Sequence, residues 1–230
     1  MFRTALCLAF LAWHPTTQPV LKIKITHGVA GALPIAIAPF DPPGSQRPAV
    51  DIAAIVAADL ESSGGFVPMP RADMPSQPHG FSEINFADWR RVGMDNLVVG
   101  TLRPGIETDY QVEFWLVDVY KGSQLLAYKV PAKAAQLRLV AHQISDVIYE
   151  KLTGVKGAFA TRIAYVTVQQ RSGRNKIYGL QVADIDGENV QTLLTSPQPL
   201  MSPAWSPDGR RLAYVSFEGR SSTIYVQDLG

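Results

Sequence analysis

Hydrophobic positions change their period twice along the chain. The first run, Thr4 to Trp13, is almost unbroken and lacks polar periodicity; it follows Arg3 and stops at His14-Pro15-Thr16-Thr17-Gln18-Pro19. About ten apolar residues suit the middle of a secretory signal and fall short of the roughly twenty that span a bilayer. Residues 1–19 are therefore expected to be a cleavable signal peptide, although no small-x-small site fixes where cleavage falls.

Between residues 20 and 156 strand and helix periods alternate. Pro34 to Phe40 reads as a short apolar strand, ended by Asp41-Pro42-Pro43-Gly44. Val50 to Glu61 places Ile52, Ile55, Val56 and Leu60 on one helical face and stops at Ser62-Ser63-Gly64-Gly65. Pro68 to Gly80, with four prolines, is a loop; Phe86 to Val92 is a second helix, closed by Gly93. Leu97-Val98-Val99-Gly100 reads as a buried strand. Gln111 to Tyr120 sets Val112, Phe114 and Leu116 on one side, and Gln124 to Val130 returns across Lys121-Gly122-Ser123 as a hairpin. A long helix from Ala134 to Leu152 carries Leu137, Val140, Ile144, Val147 and Ile148 in one stripe, with Gly154 placed to end it. These elements predict an α/β (or α+β) domain over residues 20–156, a sheet with helices packed on it.

From Thr161 the pattern becomes short strands and turns. Ile163-Ala164-Tyr165-Val166 recurs as Leu212-Ala213-Tyr214-Val215, and Ile177-Tyr178 recurs as Ile224-Tyr225, offsets of 49 and 47 residues. Strand repeats of about 40–50 residues are the signature of a β-propeller blade. Residues 160–230 supply about one and a half blades, the first and part of a second, against the roughly four needed for closure. The expected class is an α/β domain followed by an incomplete all-β propeller.

Composition narrows the function. A content of 47% hydrophobic and 18% charged residues is that of a globular protein. The net charge is +1, divided as −1 over residues 20–158 and +1 over residues 159–230 after Arg3 is set aside. No segment carries the basic excess of a nucleic-acid binder, so protein partners are expected. The single cysteine, Cys7, lies in the signal, leaving no disulfide in the mature chain. His14, His27, His79 and His142 are scattered without zinc spacing. Asp184, Asp186 and Gly187 hint at a calcium loop, but the sixth position is Asn189 and a distal glutamate is missing, so an Asp-Gly hairpin turn is the better reading. Neither a Gly-x-Ser-x-Gly elbow nor a phosphate-cradling glycine loop is present. The sequence therefore gives no reason to expect a catalytic, metal or cofactor site, and the chain reads as an exported binding protein.

One segment carries a family likeness. Trp205-Ser206-Pro207-Asp208-Gly209-Arg210-Arg211-Leu212-Ala213-Tyr214-Val215-Ser216 resembles the repeat of the TolB family, periplasmic propeller proteins of the Tol-Pal system of Gram-negative envelopes. Pro207 and Gly209 suit a tight turn, Asp208 can bond backbone amides, and Trp205 can pack between blades. Propellers of serine peptidases carry Trp-Ser-Pro-Asp-Gly as well. The likeness extends to Gly157–Val166, to Leu180–Gly187 followed by Ser202-Pro203-Ala204-Trp205, and to Phe86–Arg90 with Val98-Val99-Gly100, in order over residues 20–230.

The resemblance implies a six-bladed propeller of which about four blades lie outside these residues. It also implies binding of the lipoprotein Pal through the complete propeller and of the inner-membrane-anchored protein TolA through the extreme N-terminus, in support of outer-membrane integrity and constriction at division. Leu21, Lys22, Ile23, Lys24, Ile25, Thr26, His27, Gly28 and Val29 match the position of the family's TolA-binding box. Apolar Leu21, Ile23 and Ile25 alternate with Lys22 and Lys24, so the segment could add as an edge strand to a partner's sheet; the alternative is an ordinary first strand of the α/β sheet. It departs from the family where Thr26 and Ala30 replace acidic residues. Two functions follow: a Tol-Pal interaction protein, or the regulatory propeller of a serine peptidase whose catalytic domain would lie beyond residue 230.

Overall fold

A computed structural model describes residues 31–40, 50–105, 107–171, 175–219 and 221–229. The expected signal peptide, the segment Leu21–Val29 and the turn Asp41–Gly44 lie outside the described residues. No helix among the described residues is long and apolar enough to cross a membrane.

The first part of the chain runs β1 (Leu33–Ile37), α1 (Ile52–Ser62), β2 (Phe66–Pro68), α2 (Phe86–Arg91), β3 (Asn96–Pro104), β4 (Tyr110–Asp118), β5 (Ser123–Ala132) and α3 (Leu137–Thr153). The strands form one sheet in the order β2-β1-β3-β4-β5. β1 is parallel to both its neighbours, and β3, β4 and β5 are antiparallel. Local chemistry sets the helix ends. The Asp51 carboxylate accepts the Ala54 amide at 3.0 Å, Asn85 caps α2, and Gly154 takes φ +75° after α3. The expected long helix from Ala134 opens instead with a 3₁₀ turn, Ala134–Gln136, whose first amide donates to the Asp109 carboxylate at 2.8 Å.

The sheet is covered on both faces at its centre, while most side chains of the edge strand β5 stay exposed. Helices α1 and α3 cover one face, where Ile35, Ile37, Val112, Phe114 and Leu116 meet Val56, Leu60, Ile144 and Ile148. The other holds Ala36, Leu97, Val99 and Val117 under Trp89 of α2. Double burial accounts for the unbroken apolar run in β3. Gly100 lies where β3 passes the ring of Phe40; a Cβ there would stand 2.5 Å from two ring carbons.

After α3 come β6 (Arg162–Gln170), β7 (Lys176–Asp184) and β8 (Gln191–Ser196), then β9 (Leu200–Trp205), β10 (Arg211–Ser216) and β11 (Thr223–Asp228). They form two antiparallel three-stranded sheets, β6-β7-β8 and β9-β10-β11. The sequence repeat places β6 on β10 and β7 on β11. The ladders set Arg162 opposite Asp184 and Arg211 opposite Asp228, offsets of 49 and 44 residues, so Ile177-Tyr178 and Ile224-Tyr225 stand three places apart in the ladder. The sheets are thus one strand out of phase. β9 flanks β10 where β6 has no partner strand among the described residues, and β8 flanks β7 where β11 has none. Together they occupy four strand positions of one repeat, the number in a propeller blade. Leu180, Val182, Leu200, Leu212 and Tyr214 form the apolar layer they share.

Replacing Gly100 by Ala should destabilise the α/β part by about 1–3 kcal/mol, since the Phe40 ring is itself buried and has no room to retreat. Urea unfolding followed by tryptophan fluorescence would measure this; a midpoint equal to the parent's would contradict the packing described.

Candidate functional site

The residues singled out from sequence fall in different places. Leu21–Val29 lies outside the described residues. Trp205, Ser206, Pro207, Asp208 and Gly209 form the turn between β9 and β10. There Asp208 accepts the Arg210 amide at 3.1 Å, the Gly209 amide donates to Ser206 O at 2.9 Å, and Gly209 takes φ +67°. The Arg162 guanidinium stacks on the Trp205 ring at 4.9 Å and donates to Gly209 O at 3.2 Å, joining the two propeller sheets. Asp184, Asp186 and Gly187 belong to the hairpin between β7 and β8, with Gly187 at φ +85°.

Polar groups converge at the junction between the α/β part and the first propeller sheet. Helix α3 presents Arg138, His142, Ser145 and Asp146 along one side, the i, i+4, i+7, i+8 spacing of a single helical face. Asp59 of α1 is buried between them. Its Oδ2 accepts the Ser145 hydroxyl at 2.7 Å and His142 Nδ1 at 2.8 Å. A carboxylate oxygen can only accept here, so Nδ1 carries the proton and the other ring nitrogen, Nε2, faces outward. It meets the Asp186 carboxylate at 3.6 Å. Arg138 pairs with Asp186 and, through Nε at 3.7 Å, with Asp184. Asp146 accepts the amides of Phe159 at 2.6 Å and Ala160 at 3.2 Å, which fastens the connecting segment to α3. Gly157 is required by this close approach, since a Cβ there would lie 2.6 Å from the Asp146 Cα.

The charges are mutually adjusted. The Asp59 hydrogen bond raises the His142 pKa above that of a free imidazole, against the opposing effect of burial, and the Asp186 charge adds to the rise. Burial would push the Asp186 carboxyl up, but the Glu188 amide and the Arg138 guanidinium hold it below the usual range. Beside the cluster a cleft of about 600 Å³ opens between Ser62, Tyr149, Phe159 and Asp186.

This arrangement binds charge and does not build a nucleophile. Ser145 donates to Asp59 and lies 3.1 Å from the Ala141 carbonyl; no hydrogen bond joins it to His142. His142, Asp184 and Asp186 could together present three ligand atoms to a metal ion. The Arg138 guanidinium is paired with both aspartates, however, so a cation there would have to displace one already in place. The sequence reading missed this cluster. His142, Ser145 and Asp59 each adjoin the apolar stripe of their helix and are buried with it, and a polar residue beside that stripe was the available signal.

Two family models match the chain in order: the TolB amino-terminal domain over residues 21–125 and the TolB β-propeller domain over residues 149–230. Similar curated relatives include the Tol-Pal system protein TolB of Thioalkalivibrio sulfidiphilus, 49% identical over 227 residues, 98% of this chain and 52% of that protein. The Tol-Pal system protein TolB of Nitrosococcus oceani is 51% identical over 225 residues, 96% of this chain and 52% of its own. The crystal structure of TolB from Acinetobacter baumannii aligns with a TM-score of 0.75 at 37% identity, over 86% of this chain and 47% of that one. The chain spans about half the length of the curated relatives it matches.

Replacing Asp59 by Ala would leave the His142 donor buried and unpaired and the Ser145 hydroxyl with only the Ala141 carbonyl, and should cost about 3–5 kcal/mol of stability. Ser145→Ala, which removes a donor and leaves Asp59 bonded to His142, should cost about 1 kcal/mol. Equal losses in urea titrations of the two variants at neutral pH would show that Asp59 is not the hub of the cluster.

Proposed function

The chain belongs to the TolB family, and from that premise we propose that it is an exported, non-catalytic interaction protein of the Tol-Pal system, acting in the periplasm. The observation that carries this is the near half identity to proteins named Tol-Pal system protein TolB, sustained over almost the whole chain. On this reading residues 1–19 are the signal peptide, residues 20–156 the N-terminal domain, and residues 160–230 the first blade and part of the second. TolA is bound through Leu21–Val29 and Pal through the complete propeller, a linkage that serves outer-membrane integrity and constriction at division. The reading as a serine-peptidase propeller is disfavoured by the match of residues 21–125 to the TolB amino-terminal domain.

Strand addition is the mechanism proposed for the TolA segment. Alternating Leu21, Ile23 and Ile25 offer one apolar face, and backbone amides supply the ladder. Proline at position 23 or 25 removes a donor and blocks that ladder, so Ile23→Pro and Ile25→Pro should each abolish binding. Lys22→Ala should change affinity by less than about 1 kcal/mol, as expected of an exposed charge. Calorimetric titration of the chain against the C-terminal domain of its cognate TolA checks this. Proline variants that bind like the parent would overturn strand addition. Failure of the parent to bind would count against the TolA assignment unless acidic residues at positions 26 and 30 restored it.

A further inference from the structure

We propose that protonation of His142 latches the first propeller sheet onto the α/β part of the chain, so that the two separate more readily as pH rises. The ring spans the junction. Its Nδ1 is committed to Asp59 inside the α/β part, while Nε2 looks out at Asp186 on the β7–β8 hairpin, 3.6 Å away. The His142 side chain is only 2% exposed, whereas Asp186 is 30% exposed and borders the open cleft. A neutral ring with its proton on Nδ1 turns the Nε2 lone pair towards a carboxylate oxygen, two electron-rich atoms in a poorly hydrated place. A proton on Nε2 converts that opposition into attraction.

The groups facing the ring come from three elements. They are Asp59 on α1, Arg138 and Ser145 on its own helix α3, and Asp184 and Asp186 at the end of β7 and in the turn after it. Arg138 holds both aspartates with a charge that does not titrate, so it supplies a pH-independent tie. The Asp59 bond lies wholly within the α/β part and persists whether or not the sheet is docked. Docking changes two things at the ring: it deepens the burial, which opposes the charged form, and it brings the Asp186 carboxylate to 3.6 Å from Nε2, which favours the imidazolium; the latch requires the second to be the larger. With that balance the docked form binds the proton more tightly. Its advantage is complete below the pKa of His142 in the separated form, itself raised by Asp59, and is lost as pH rises through the higher, docked value.

The test is hydrogen exchange at the Phe159 and Ala160 amides of the connecting segment, expressed as an opening constant after correction for intrinsic rates at each pH. For the parent chain the opening constant should rise about threefold to tenfold between roughly pH 5.5 and pH 8.5, the range expected of one partly exposed pair. Asp186→Asn should open more at every pH, through loss of the Arg138 pair, but with the pH response flattened. His142→Gln should flatten it too. If that buried substitution prevents folding, the exposed-side Asp186→Asn still decides the matter. A parent opening constant that is independent of pH would overturn the latch, as would an Asp186→Asn chain that keeps the parent's full response.

Discussion

The carboxylate of Asp59 ties α1 to α3, and the geometry of the junction descends from that tie. Two donors from α3, the Ser145 hydroxyl and His142 Nδ1, converge on one oxygen of a side chain that is 4% exposed. A buried carboxylate is tolerated only when such donors replace its water, so the two helices are held in a fixed rotational setting. That setting aims Arg138 and His142 outward at the hairpin of the first propeller sheet and places Asp146 where it can hold Phe159 and Ala160. A polar knot inside the α/β layer thus decides how the next part of the chain is met.

The propeller sheets rest on a different physics. Their shared apolar layer is small, and among the described residues their outer strand β11 is paired on one side only. Ile224 and Val226 on β11 are 73% and 64% exposed. A strand edge that carries apolar side chains of this kind is a surface that further strands would satisfy. The two halves therefore differ: the centre of the first sheet is covered on both faces by helices, while the described part of the second leaves the apolar side chains of β11 exposed.

Most of the architecture could be read from periodicity, because local rules and burial agreed. Val112, Phe114 and Leu116 alternate in the sequence and face α1 and α3 as expected. Strand β2 escaped notice because it has only three residues, one of them Pro68, between a glycine stop and a proline-rich loop. The repeat found the central strands of each blade but not their phase, since an offset of 49 residues aligns β6 with β10 without saying on which side the neighbouring strands lie. His142 was the hardest to read. A lone histidine on a helix looks unremarkable until the packing of α1 on α3, set by residues 83 positions apart, brings Asp59 to it.

Arg162 carries a mechanical consequence. It is the first residue of β6, directly after the connecting segment, and it is paired with Asp184 of the first sheet while its guanidinium grips Trp205 and Gly209 of the second. Tension arriving along the connecting segment is therefore divided at its first strand residue and shared between two sheets. The anchor spreads load sideways, so a pull on one end of the chain is resisted by both sheets before either ladder has to unzip.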